Sequence, residues 1–287
     1  MKQDLLKTIE MNMSTYSKRQ KQISLYILEN YDKAAYMTAS KLGSVVNVSE
    51  STVVRFATEL GFDGYPQMQS ALQELTRTRL TSFQRVEITD SLFGDSDVLK
   101  KVLFADAERI KATFEELDHD AFDTAVEKIC SANKIYVIGI RSSATLADFL
   151  ARNMNVIFDN VISLEAKSGS EVFEQMLSIS EKDVLIAISF PRYSKRVVRA
   201  VEYAHSLGAN VISITDSHAS PIADKANQTL VARSDMISFV DSLVAPLSLI
   251  NALIMGIARK RRNELNDRLH KLERLWDEYE VYDKNHS

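Results

Sequence analysis

The chain has 287 residues, 45% of them apolar and 26% charged, a balance that suits one or two packed domains and excludes a disordered or fibrous chain. A net charge of −4 argues against a protein that coats nucleic acid generally, while leaving room for a local basic surface. Cys130 stands alone, which rules out an internal disulfide, and the start lacks a signal-peptide pattern; the expected home is a reducing cytoplasm.

Residues 1–80 read as short helices. In "SKRQKQISLYILENY", Ile23, Ile27 and Leu28 fall at helical spacing. The stretch "MTASKLGSVVNVSESTVVRFATELGFDGYPQMQSAL" (37–72) is the most informative. Thr38 is placed to cap a helix running to Val46, Asn47-Val48 to make a turn, and Ser49 to cap a second helix with Glu50 in its first turn. Val53, Phe56, Ala57 and Leu60 then share an inward face, and Ser51, Thr52, Arg55 and Thr58 the opposite one. Two short helices of this kind predict an all-α helix-turn-helix domain that docks on double-stranded operator DNA. Short hydroxyl side chains let a helix enter the major groove, and Arg55 reaches a guanine edge or a phosphate. The expected DNA-contacting set is Lys41, Ser49, Ser51, Thr52 and Arg55, with Lys18, Arg19 and Lys21 beside the flanking backbone. The alternative is an ordinary helix surface in an all-α module. Residues 1–80 carry ten Lys/Arg against eight Asp/Glu, so one copy binds weakly and a homodimer or homotetramer is expected.

Residues 77–97 lack a clear period and predict a linker, giving domains at 1–80 and 98–287 joined by 81–97. A helix over roughly 98–117 follows. From about 130, short β-branched runs alternate with mostly helical segments: "KIYVIGI", "VISL", "DVLIAIS", "NVISITD" and "QTLVA". That alternation predicts an α/β fold with a doubly wound parallel sheet. Phe239–Ala258 is apolar and is followed by four basic residues, but Asp241 and Asn251 make a buried helix the better reading than a membrane span. In the tail, Leu265, Leu269, Leu272, Trp276 and Tyr279 form a narrow apolar seam that suits either a partner subunit or the chain's own domain.

Two strand-to-helix loops carry the chemistry. The first strand ends in Gly139 and leads through Arg141-Ser142-Ser143 into a helix. The third ends in Ser189 and leads through Pro191-Arg192-Tyr193-Ser194 into another. Ligands of doubly wound sheets sit beyond the strand carboxyl ends, where free helix N–H groups, hydroxyls and arginines suit an anion, phosphate in particular. The plainer alternative is that Ser142, Ser143 and Ser194 only cap helices.

At these residues the chain resembles the RpiR family of bacterial transcription regulators, which join an N-terminal helix-turn-helix domain to a sugar isomerase (SIS) domain that binds phosphosugars. "STVVRFATELGFDGYPQ" carries the first likeness and residues 130–232 the second. The resemblance implies a regulator of sugar catabolism with a small anionic sugar-type effector held by Ser143, Ser189 and Ser194; the loops themselves add Arg141, Ser142, Arg192 and Tyr193 as candidate ligand contacts. Related SIS domains show Gly-x-Gly-x-Ser and Ser-x-Ser-Gly-x-Thr in the two loops. Here Ser143, Ser189 and Ser194 match, whereas Arg141 and Arg192 stand where glycines are usual and Pro191 replaces a serine. The arginines either clamp a more anionic ligand or narrow the pocket, and Tyr193 is placed to stack on a sugar or close over it. A sugar-phosphate isomerase is the alternative function, with Glu165, Glu171, Glu174, His205 and His218 as available bases, none in a matching catalytic motif. No His/Cys grouping has metal-ligand spacing, and no cofactor is expected.

Overall fold

The computed structural model describes residues 5–79, 84–86, 97–165, 170–235 and 240–282. The chain divides into two compact units. One runs to Val98 and includes the short segment ending at Asp241; the other comprises Leu99–Asp235 and Ser242 onward.

The first unit is helical: α1 (Leu5–Met11), α2 (Lys18–Glu29), α3 (Tyr31–Ala34), α4 (Ala39–Val45), α5 (Glu50–Glu59) and α6 (Tyr65–Arg79). Ser17 and Gln20 close a reciprocal capping box at the start of α2. Ile9, Ile23, Ile27, Leu42, Val53, Phe56, Met68 and Leu72 form its centre. The Tyr65 hydroxyl donates to the Met37 carbonyl at 2.7 Å, and burial pushes its pKa up to about 12. The expected linker lies largely outside the described residues. Within it, Gln84–Val86 is helical, and Arg85 is buried and pairs with Asp241 at 2.7 Å.

The second unit opens with α7 (Val98–Glu116) and α8 (His119–Ser131) and continues β1 (Ile135–Gly139), α9 (Ser142–Ile157), β2 (Val161–Ser163), α10 (Glu171–Gln175), β3 (Val184–Ile188), α11 (Lys195–Ser206), β4 (Asn210–Thr215), β5 (Gln228–Val231), α12 (Val244–Lys260) and α13 (Arg262–Glu278). The sheet is parallel with strand order β2-β1-β3-β4-β5. Alternate strand residues point to opposite faces. Ile135, Val137, Ile186, Ile188, Ile212 and Ile214 pack with α8, α9 and α12; Tyr136, Ile138, Leu185, Ala187 and Val211 pack with α10 and α11. Burial on both sides explains why the strands read as continuous apolar runs rather than alternating ones. The connection from β4 to β5 departs from the helical alternation, being made of turns.

From Val244 onward the apolar run forms α12, with Ala245, Pro246, Leu249, Ile250, Leu253 and Ile257 buried. Among the described residues, no helix is long and apolar enough to cross a membrane. The tail folds back at its start. Leu265 packs against the sheet core, and Arg268 donates to the Val156 carbonyl at 2.9 Å and pairs with Asp159 at 2.7 Å. Farther along, Leu275 and Tyr279 are exposed.

Candidate functional site

Two places in the fold gather the residues singled out above, one in each unit. In the first, Thr38 caps α4 through the Lys41 N–H (3.2 Å), and Ser49 caps α5 through the Thr52 N–H (3.3 Å). The turn between them is tight. Asn47 holds φ 56°, and the Val48 N–H donates to the Gly43 carbonyl at 2.8 Å. A Cβ on Gly43 would lie 2.8 Å from the Val48 carbonyl oxygen, so only glycine lets the chain turn this closely. Val53, Phe56 and Ala57 are buried, while Ser51, Arg55 and Thr58 are exposed and Thr52 is half-buried.

The hydroxyls on the outer face are partly used within the helix. Ser49 Oγ lies 3.0 Å from Ser51 Oγ and 2.8 Å from Thr52 Oγ1, and Thr58 donates back to the Val54 carbonyl. Arg55 and Lys41 extend outward with no side-chain partner among the described residues. Val54 also faces out, 38% exposed between Ser51 and Arg55; sequence patterning missed it because an apolar residue on a helix is ordinarily assigned inward. Gln20 donates to the Glu59 carboxylate, which sets the exposed Lys18, Arg19 and Lys21 beside the far end of α5.

In the second unit the strand order reverses direction between β1 and β3. The chain leaves β1 toward β2 on one side and β3 toward β4 on the other, and α9 and α11 cover opposite faces. This is the topological switch point, where doubly wound sheets open a crevice for ligands. Gly139 pairs with Ile188 across the two strands, so the two loops leave the sheet side by side, about 4.8 Å apart at their roots.

The first loop turns sharply at Arg141, with φ 62° and ψ −126°, and Arg141 rather than a serine occupies the α9 N-cap position. Ser142 is exposed in the first turn. Ser143 is only 4% exposed, and its hydroxyl makes no hydrogen bond to another described residue. A Cβ on Gly139 would sit 2.2 Å from the Ser143 carbonyl oxygen, so this glycine lets α9 begin against the strand tip.

The second loop is closed by Ser189, whose buried hydroxyl accepts the Ser194 N–H at 3.4 Å. Phe190 and Pro191 are buried, and Arg192 faces outward with φ 61°. Ser194 occupies the α11 N-cap position, yet its side chain makes no capping bond. Neither serine pair therefore acts as an ordinary cap. Tyr193 is half-buried and donates to Asp216 Oδ1 at 2.8 Å, which ties the loop to the tip of β4. Asp216 went unnoticed in the sequence; its signal was an acid directly after the apolar run "NVISIT".

The two glycine-to-arginine departures thus share a backbone feature. Arg141 and Arg192 both keep the positive φ that favours glycine while adding a guanidinium at adjacent strand tips. Both are exposed, so neither fills the crevice from inside.

Comparison with known proteins finds two family matches along the chain. Residues 3–78 match the model of the helix-turn-helix domain, rpiR family, and residues 128–256 match that of the SIS domain. The regulator HexR of Escherichia coli is 26% identical over 281 residues, covering 94% of this chain and 93% of its own. The sugar isomerase domain of an RpiR transcription factor from Sphaerobacter thermophilus is 28% identical with a TM-score of 0.58, covering 61% of this chain and 97% of that one. The Vibrio vulnificus NanR protein, solved in complex with ManNAc-6P, shares the fold at 23% identity and a TM-score of 0.60, covering 96% of this chain and 98% of its own. The chain belongs to the rpiR-type helix-turn-helix transcriptional regulators that carry an SIS domain.

Proposed function

We propose that the chain senses a phosphorylated sugar carrying a second acidic group at the β1 and β3 tips, and uses its occupancy to set how α4 and α5 engage operator DNA. The observation that carries this reading is the pair Arg141 and Arg192. An arginine held at positive φ costs conformational energy that a glycine would not, and such strain is retained where a site uses it. Ser143, Ser189 and Ser194, with the first N–H groups of α9 and α11, suit the phosphate. The guanidiniums suit a carboxylate or second phosphate through forked, charge-assisted bonds. NanR, which shares the fold, was solved with a phosphorylated sugar, and this supports the phosphate half of the assignment.

On the DNA side, Arg55 reads a base edge, Val54 meets a thymine methyl, and Lys41 with the N-terminal turn of α5 at Ser49, Ser51 and Thr52 positions the backbone. The protein works as a cytoplasmic homo-oligomer, because the small charge excess of one helical unit gives little phosphate-backbone affinity. Ligand acts by binding two arrangements of the oligomer unequally, without which no shift in DNA affinity follows.

The protein is read as a non-enzyme, although the SIS fold also houses isomerases. His205 lies at the C-terminal end of α11, ten residues and about 15 Å along the helix from the strand tips. Glu165 is exposed and its backbone is held by the Gln175 amide. The test is a thermal-shift screen with phosphorylated sugars, phosphorylated sugar acids and their unphosphorylated counterparts, each assayed for turnover. A shift confined to phosphorylated compounds, without turnover, is expected; turnover would make the protein an isomerase.

A further inference from the structure

Helix α6 carries a row of polar side chains turned toward the rest of its own unit. Tyr65, Gln69 and Gln73 recur every four residues, which places them on one face of the helix. The Tyr65 hydroxyl and the Gln69 amide both donate to the Met37 carbonyl, at 2.7 and 2.8 Å, and the Gln73 amide donates to the Ala35 carbonyl at 3.0 Å. Both carbonyls lie in the short link between α3 and the Thr38 cap of α4. Met37 is held from a third direction as well, because the Tyr26 hydroxyl of α2 donates to its sulfur at 3.9 Å.

Burying α6 does not require this row. Met68 and Leu72 already anchor the helix in the unit's core, in the same cluster as the fully buried Ala34 and Ala35. A carbonyl left over at a helix end is satisfied by one donor, water included. The Met37 carbonyl has two protein donors, one for each lone pair, and these fix the plane of the peptide that joins it to Thr38. Thr38 is the N-cap of α4, so fixing that peptide fixes where α4 starts and how it is aimed. At its own N-terminal end α6 follows α5 through a short turn, closed by the Phe62 N–H on the Ala57 carbonyl at 3.1 Å. One helix therefore holds the entrance of α4 and the exit of α5.

We infer that Tyr65, Gln69 and Gln73 are positioning residues for DNA reading, which set the docking angle of the α4–α5 pair through Met37. Tyr65 is buried and the two glutamines are half-buried, so they act through α4 rather than at the DNA. Base-edge contacts need an exactly placed helix, whereas phosphate contacts give affinity without sequence. Loosening the Met37 anchor therefore costs discrimination between sequences and spares general affinity. The inference rests on α4 and α5 as the reading pair and is independent of the effector assignment.

Gel-shift titrations of the full chain test it, with a duplex selected from random sequence beside a scrambled duplex of the same length, over a range of salt. Gln69→Met removes one donor, keeps the side chain's size and leaves Tyr65 on the carbonyl; it should lower the preference for the selected duplex about threefold at an unchanged melting temperature. Tyr65→Phe/Gln69→Met removes both donors and should lower it about tenfold or more, with affinity for the scrambled duplex and its salt dependence kept. Hydrogen exchange should quicken at the Lys41 and Leu42 amides, which open α4, and not at Ile27 or Phe56 in the core of α2 and α5. Gln67→Met is the control on the same helix: its amide bonds only Asp63, and the parental preference should remain. Parental preference in both donor variants would overturn the inference. So would a loss shared equally by the scrambled duplex and by protection throughout the unit, which is what general destabilisation produces. A parent protein that binds both duplexes alike would remove the DNA reading on which the inference rests.

Discussion

Replacing Arg141 with glycine separates the effector site's demands from those of the fold. At φ 62° and ψ −126°, an arginine carries strain of about 1–3 kcal/mol that glycine does not. Glycine in turn loosens the unfolded chain, which costs about 0.4–1 kcal/mol. At an N-cap position glycine is otherwise well tolerated. The balance favours the variant by roughly 0.5–2 kcal/mol, and in a unit of this size each kcal/mol raises the melting temperature by about 2–4 °C. Binding should move the other way. Loss of one charge-assisted contact, worth roughly 1.5–3 kcal/mol, should weaken a phosphorylated sugar acid about tenfold or more and leave the matching phosphorylated neutral sugar nearly unaffected. Thermal melts of both proteins, bare and with each compound, measure both effects together. A glycine variant that melts no higher than the parent and keeps the full acid-dependent shift would refute the reasoning.

Arg55→Ala should weaken operator binding by about 1–3 kcal/mol in a gel-shift titration, and Val54→Ala should abolish the preference for thymine over deoxyuridine at one position per half-site of a duplex selected from random sequence. Equal binding to the thymine and deoxyuridine duplexes by the parent protein would remove Val54 from the reading face. Gly139→Ala forces a Cβ to within 2.2 Å of the Ser143 carbonyl oxygen, and should lower the second unit's stability by about 1–3 kcal/mol in a denaturant titration; an unchanged midpoint would contradict so close a packing. Burial raises the Tyr65 pKa to about 12, so its neutral form is favoured by folding. That contribution is complete below the ordinary tyrosine value near 10 and is lost as pH rises through about 12. The first unit should weaken over that window, and Tyr65→Phe should flatten the dependence.

The strands were legible because burial on both faces leaves only apolar residues, as in "KIYVIGI" and "DVLIAIS". The α4–α5 motif was legible because Thr38 and Ser49 are local caps that need no distant partner. Other features lay beyond a linear reading. That Arg141 and Arg192 replace glycines was visible, but not that they retain the glycine-like backbone, which depends on the turn each must complete. Asp216 joins the site only because β4 lies beside β3 and Tyr193 reaches across. For α7 the sequence showed a helix but not which side faces the domain; that side is held through Asp106, Thr113 and Glu116, whose partners Ser242 and Arg233 lie far along the chain.

The central claim is that hydroxyls at the β1 and β3 tips hold the effector's phosphate and that this occupancy governs DNA binding. Its most direct test is the operator affinity of the Ser143→Ala/Ser189→Ala variant beside the parent protein, titrated with phosphorylated sugars and sugar acids. The expected result is parental affinity for bare operator in both proteins, with the response to the active phosphorylated compound kept by the parent and lost by the variant. A variant that responds at the parental concentration, or a parent that answers equally to the unphosphorylated compound, would contradict it.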